Sequence, residues 1–248
     1  MGTVDFSAPS RHLTVAGATG SLAYLRRAVA GWERLHPGYT VSISGGGSIA
    51  GLVEVSQGRI NIGISDVTPK NEWTGGAALF SKPLGQMPLL MIARPDTGVK
   101  NVSLSQLRDM FTGRIRSWKN IGGKETPVIV VSRPLASGAL EVLRQQVLQG
   151  KPVTSRAIVQ LSNGAVLAAV KETPGALGFV ESGRLPKMVE VLRVGSLRYS
   201  PDFPYEWPYH VVPTLYWHRQ SGGMTRSLVD FLATRPYRSQ YGLFPLAS

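Results

Sequence analysis

One unit recurs along this chain: a short apolar run, a junction of small and hydroxyl-bearing residues, then a segment with an apolar stripe at helical spacing. "LTVA" (13–16) reads as a buried strand, and "GATGS" follows it. In "LAYLRRAVAGWERLHP" the residues Leu22, Leu25, Val29, Trp32 and Leu35 recur at helical spacing, and Pro37 closes the segment. "YTVSIS" (39–44) alternates as a strand does, "GGGS" (45–48) opens the helix "SIAGLVEVSQG", and "INIGIS" is a further strand ending at Asp66. Strand, helix, strand, helix, strand in this order requires crossover connections, and these favour a parallel sheet with helices on its faces.

The same grammar returns in the second half. "MPLLMIARP" is an extended apolar segment stopped by Pro95, and "SLSQLRDMFTG" is a short helix ending at Gly113. "TPVIVVSRP" is a β-branched buried strand, "LASGALEVLRQQVL" a loop and amphipathic helix, and "NGAVLAAVKETPG" with "ALGFVESG" one more helix and strand. "GMTRSLVDFLATRPYRSQYG" is helical until Pro236. No low-complexity linker divides the chain. The expectation is two α/β lobes joined by extended segments near residues 88–94 and 209–217. Trp118, Trp207 and Trp217 are expected to pack in the core or at an interface rather than to form a stacking platform.

Composition narrows the chemistry. The 248 residues include no cysteine and four histidines, none in an H-x-x-x-H pair, so neither a metal site nor a histidine-based catalytic centre has much to build with. No run of eighteen apolar residues is present. The start, "MGTVDFSAPSRHL", lacks an apolar signal-like region, which fits either a cytoplasmic protein or the mature part of an exported one. Lys plus Arg number 27 against 15 Asp plus Glu, a formal charge of +12. That balance suits anionic partners, but the basic residues are scattered, unlike the concentrated patch with interleaved aromatics of a nucleic-acid binder.

The three junctions "ATGS" (18–21), "GGGS" (45–48) and "ASGA" (136–139) each combine small residues, a hydroxyl and the first free N–H groups of a helix. Helix N-termini leave backbone donors unsatisfied and carry partial positive charge. Ser21, Ser48 and Ser137 can each be an ordinary N-cap, or the three junctions can converge on one anion. The surplus glycine at 45–47 suits close approach of an oxyanion to bare N–H groups. Arg133 and Asp66 both follow buried strands, where an unpaired charge is costly. They can form a structural salt bridge, or Arg133 can grip an anion while Asp66 accepts its proton. Phosphate at neutral pH carries a proton and sulfate none, so Asp66 would reject sulfate. Catalysis finds little support: around Ser48 the pattern G-x-S-x-G fails at Ala50, and no histidine is placed to serve the serine.

These residues resemble the phosphate-binding solute receptors of ABC transporters, which have the type II periplasmic-binding-protein fold. The resemblance covers most of the chain: "AGATGS", "SGGGSIAGL", "NIGISD", "LSQLRDMFTGRIRSWKNIGG" with its F-T-G-x-I-x-x-W signature, "SRPLASGALEVL", "ALGFV" and "SLVDFLATRPYRSQYGLFPL". It implies two lobes, each a mixed, mostly parallel sheet flanked by helices, with two extended crossover segments as the hinge. Residues 1–90 would begin the first lobe, 91–210 form the second, and 211–248 return to the first. The implied phosphate ligands are Thr19, Gly20 and Ser21 from the first junction, Ser48 from the second, Asp66, and Arg133, Ser137, Gly138 and Ala139 from the third. Three departures stand out: Ala139 replaces a threonine hydroxyl, Leu135 replaces an acidic residue that commonly braces the arginine, and Gly20 stands where a bulkier residue often follows the threonine. The resemblance further implies a monomeric extracytoplasmic receptor without cofactor, metal or nucleic-acid partner, delivering phosphate to a membrane permease. Open alternatives are a receptor for another, sulfate-like oxyanion, a phosphate sensor without a transport role, and a basic nucleic-acid-binding protein.

Overall fold

A computed structural model of the chain describes residues 11–181, 185–186, 188–234 and 241–246. Pro236, with the rest of 235–240, and residues 247–248 lie outside the described residues. The first third of the chain runs β1 (His12–Gly17), α1 (Leu22–Leu35), β2 (Thr40–Ser44), α2 (Ser48–Ser56), β3 (Ile62–Ser65), α3 (Asn71–Thr74) and β4 (Leu79–Pro83). The middle contributes β5 (Met87–Ala93), β6 (Asn101–Val102), α4 (Leu104–Phe111), β7 (Ile129–Ser132), α5 (Gly138–Gln146), β8 (Ile158–Val159), α6 (Asn163–Glu172), β9 (Ala176–Glu181), β10 (Glu190–Val191), β11 (Arg193–Val194) and β12 (His210–Val211). β13 (Thr214–His218) and α7 (Gly223–Thr234) follow.

Two main sheets result. The first has the order β2-β1-β3-β13-β4, so the last strand of the chain lies between elements from its start. The second has the order β10-β5-β9-β7-β8, with β12 also pairing to β5. Pairing is parallel among β1, β2 and β3, and again among β7, β8 and β9. These are the strand–junction–helix units read from the sequence. The strands that carry the chain between the sheets run the other way: β13 is antiparallel to β3 and β4, and β5 is antiparallel to β9. Each sheet is therefore mixed and mostly parallel, with one strand running against the rest.

The chain leaves the first sheet after Pro83 and returns to it at Thr214. The crossings at 84–86 and 212–213 lie side by side, with Leu84 N–H donating to Pro213 O at 2.8 Å. A third strand of chain joins them, since Gln86 and Phe244 exchange both backbone hydrogen bonds at 2.8 Å. The first crossing comes earlier than the segment 88–94 expected from sequence. The reason is burial: every residue of β5 is covered, as in a central strand with both faces packed.

Helix α1 buries Tyr24, Leu25, Ala28, Val29 and Trp32 on one stripe, while Leu35 at its last position is 64% exposed. The Tyr24 hydroxyl donates to the Leu232 carbonyl and ties α1 to α7. The F-T-G-x-I-x-x-W segment proves to be a packing device. Ser103 and Gln106 form a capping box at the start of α4. Phe111 meets Phe179 edge-on at 6.0 Å, and Gly113 takes a φ of 80° just past the helix end. Trp118 is fully buried, its indole N–H donating to Gly175 O at 2.8 Å. Trp207 is buried likewise, donating to Leu89 O at 2.9 Å, and Trp217 is half-buried beside Phe80.

Trp118→Phe removes ring volume from the second lobe and leaves the buried Gly175 carbonyl short of a donor. A loss of about 2–4 kcal/mol is expected. Urea denaturation should record it as a lower midpoint without a change of slope.

Candidate functional site

The C-terminal ends of β1, β2 and β3 in the first sheet meet that of β7 in the second, and with them come Asp66 and the three glycine- and serine-rich junctions. From the first, Thr19 Oγ1 accepts from Arg133 Nη2 at 3.0 Å and from the Asn163 N–H, the first of α6, at 3.2 Å. From the second, Ser48 Oγ donates to Asp66 Oδ2 at 3.1 Å and accepts from the Asp66 N–H at 3.0 Å. From the third, the start of α5 abuts both: a methyl on Gly138 would collide with Ser48 Oγ and lie 2.8 Å from Asp66 Cβ. Thr19, Ser48, Asp66, Arg133, Ser137 and Gly138 are thus one cluster, assembled from both sheets.

The N-cap alternative separates the three serines. Ser137 is an N-cap, accepting from the Leu140 N–H at 3.4 Å. Ser21 precedes α1 but makes no capping bond, and its buried hydroxyl has no partner. Ser48 is already the first residue of α2, with Gly47 at the cap, so its hydroxyl is free to serve Asp66. The side chains of Gly20, Gly138 and Ala139 offer nothing polar, and the Ala139 methyl is buried in the hydrophobic core. What these three can offer is backbone N–H, at the open first turns of α1 and α5.

Gly47 gives a local reason for the glycine-rich loop. Its φ of 96° is unfavourable for a residue with a side chain, and a Cβ there would lie 2.8 Å from Ala136 O. What comes close to this backbone is the carbonyl of the third junction, which also accepts from the Ile49 N–H at 3.2 Å. The loop lets the two lobes touch main chain to main chain beside the cluster.

Arg133 is 4% exposed. Nη2 reaches Thr19 Oγ1 and, at 3.4 Å, Leu161 O, while Nε has no partner. Among the described residues it forms no ion pair within 4.0 Å, so the salt bridge with Asp66 considered from the sequence is not made. Asp66 is 9% exposed, and burial and the nearby Glu181 charge push its carboxyl well above the ordinary range. The Ser48 hydrogen bond and Arg133 pull the other way and do not prevail. A carboxyl in this state takes or holds a proton readily.

Two residues here escaped the sequence reading. Glu181 ends β9, is buried, and is shifted upward by burial against the opposing pull of Arg133. Asn163 clamps its backbone, donating from Nδ2 to Glu181 O at 2.9 Å and accepting from the Glu181 N–H at 3.1 Å. The signal for Glu181 was present: an acidic residue ending the apolar run "ALGFV", as Asp66 ends "INIGIS". Leu135, which stands where an acidic brace for Arg133 was looked for, is 81% exposed and takes no part.

Residues 3–202 match the PBP superfamily domain. The chain belongs to the PBP superfamily. It is similar to phosphate-binding protein PstS of Bacillus subtilis (strain 168), with 28% identity over 229 residues, covering 90% of this chain and 75% of that relative. The fold is that of a putative phosphate ABC transporter substrate-binding protein with bound phosphate from Clostridium perfringens. That likeness has a TM-score of 0.87 at 20% identity and covers 95% of this chain and 100% of the other. An ABC-type phosphate transport receptor from Vibrio cholerae follows at TM-score 0.75 and 21% identity, covering 94% and 99%. The mixed, two-lobed α/β architecture of this PBP superfamily chain is thus shared along almost its whole length.

Gly138→Ala places a methyl where Ser48 and Asp66 now sit, so the lobes cannot meet there. The variant is expected to keep its far-UV circular dichroism and to show a larger radius of gyration by X-ray scattering.

Proposed function

We propose that the chain is a solute receptor that binds inorganic phosphate between its two lobes and hands it to the membrane component of an ABC-type importer. The observation that carries the reading is the convergence, at three helix N-termini, of Thr19, Ser48 and Arg133 around an Asp66 carboxyl disposed to accept a proton. The Bacillus subtilis relative, named for phosphate binding, supports it. Thr19, Gly20 and Ser21 would face the ligand from the first junction, and Ser48 and Asp66 from the first lobe's second and third strand ends. Arg133, Ser137, Gly138 and the Ala139 N–H would close over it from the second lobe.

The chemistry follows from charge and protons. Arg133 and the first-turn N–H groups would offset the anion's charge in a buried site. When ionised, Asp66 accepts a hydrogen bond only from an oxygen that bears a proton, so monohydrogen phosphate satisfies it and sulfate leaves two acceptors facing each other unless a further proton is taken up. Within this reading the lobes divide at residues 84–86 and 212–213, the paired crossings act as the hinge, and ligand shifts the population toward the closed form. A monomeric extracytoplasmic receptor, with no catalytic step and no nucleic-acid partner, is the form the reading takes. Among the described residues no helix is long and apolar enough to cross a membrane.

Isothermal titration of phosphate-stripped protein, with phosphate and then sulfate at one ionic strength, tests it. One-to-one phosphate binding with sulfate silent is expected; preference for sulfate would move the function to another anion. Asp66→Ala should weaken phosphate by at least about tenfold, ~1.4 kcal/mol, and narrow the gap to sulfate. Unchanged affinity and selectivity in that variant would remove Asp66 from the site.

A further inference from the structure

The strand end of Glu181 holds a feature that phosphate binding through Asp66 does not use. Glu181 is 3% exposed, and its Oε2 is buried without a hydrogen-bond partner. Its backbone is fixed on both sides by Asn163, whose own N–H donates to Thr19 Oγ1. A Cβ on Gly20 would lie 2.8 Å from Glu181 Oε2, so this oxygen stands against the first junction. The carboxyl therefore crosses from the second lobe to the first, and it faces Asp66 and Arg133. Two acidic side chains from opposite lobes meet directly in one buried site, and both feel the charge of one nearby guanidinium, Arg133.

An anion receptor gains nothing from a second bare carboxylate, since it repels both the ligand and Asp66. It gains selectivity if the ligand brings a proton to each. Resting on the phosphate reading, we infer that Glu181 is a second ligand-facing proton acceptor, so that the closed site holds phosphate in its dihydrogen form. One P–OH donates to Asp66 and the other to Glu181. The two remaining oxygens accept from Arg133, Ser48 and the helix N-termini. The proton count is fixed: the complex contains two protons on phosphate with both carboxylates ionised, or an equivalent arrangement of the same two. When monohydrogen phosphate enters an open site whose two carboxyls are ionised, as exposed carboxyls are above neutral pH, one proton must come from solvent.

The other charged groups around the pair do not supply that proton. On β13, Tyr216 lies near enough to Asp66 for its own titration to be raised further by that charge. β5 presents no titratable side chain to β9, and the acid and base of α6, Lys171 and Glu172, lie at its far end. Glu141 in the first turn of α5 is engaged by Arg144 at 3.2 Å. Arg26 and Arg27 on α1 point to solvent. Arg133 is the cation of the site and carries its charge throughout. The sign follows from burial. Both carboxyls are pushed upward in the closed form, so closure binds protons, is favoured at lower pH and weakens as pH rises.

The test is titration calorimetry with inorganic phosphate at about pH 8 in buffers of different ionisation enthalpy, repeated at about pH 9. The native protein is expected to take up close to one proton per phosphate and to lose about tenfold in affinity over that pH unit. Glu181→Gln, checked for folding by its melting curve, should take up almost none and change less than about threefold, because Asp66 is served by the proton monohydrogen phosphate already carries. A residue that only braced Arg133 would shift affinity without altering the proton count. Phosphate binding by the native protein without proton uptake overturns the inference and leaves the phosphate reading standing; this needs no variant. Uptake by Glu181→Gln equal to that of the native protein overturns it too. Absence of any phosphate binding by the native protein ends both.

Discussion

A guanidinium buried at the end of a strand is the constraint around which the two lobes are arranged. Arg133 cannot be satisfied within its own sheet: its partners are Thr19 Oγ1, from the opposite sheet, and the carbonyl of Leu161. An unpaired buried charge is destabilising by several kcal/mol, so the charge is tolerable when the first junction comes across to meet it. That approach in turn requires bare backbone at Gly47, where Ala136 O comes close, and at Gly138, where Ser48 and Asp66 do. The glycines of the second and third junctions and the threonine of the first are thus parts of one steric and electrostatic solution.

The parts of this arrangement visible in the sequence are those that depend on neighbours along the chain. The units β1–α1–β2, α2–β3 and β7–α5 declare themselves through apolar runs, helical stripes and small-residue junctions, and a parallel pairing follows from their order. Thr19, Ser48, Asp66 and Arg133 come together because junctions at the same end of parallel strands must converge. The antiparallel strands β4, β5 and β13 were harder to place, since their direction depends on where the chain crosses between lobes. That point is set by burial of the whole of β5, which looks in sequence like any apolar extended segment. The different fates of Ser21, Ser48 and Ser137 were equally hidden, because one residue of phase at a helix start decides whether a hydroxyl caps the helix or serves a partner.

The most recognisable motif and the most chemically active residues turn out to be separate. Phe111, Gly113 and Trp118 of the F-T-G-x-I-x-x-W segment are occupied with packing and with ending α4. They shape the second lobe and leave the ligand to others. A likeness carried by such a segment speaks for the fold, and the site has to be argued from its own residues. Glu181 illustrates the point, since no familiar pattern drew attention to it and its placement came from Asn163 and the register of β9.

Negative charge inside an anion site becomes intelligible when selectivity is treated as a difference between two affinities. Donors alone, whether Arg133 or helix N-termini, attract every oxyanion of suitable size, and a formal charge of +12 carries no distinction between them. A carboxylate among those donors weakens all of them but weakens the fully deprotonated ones most, since a ligand proton turns a repulsive contact into a charge-assisted hydrogen bond. Affinity for the right anion is lowered less than affinity for the wrong one, and discrimination grows with each acceptor. Burial makes the device effective: at an exposed site, water would screen the mismatch and a sulfate oxygen could face Asp66 with little consequence. In the proposed receptor, the closure that would bring Asp66 and Glu181 together is therefore the same event that would make them selective.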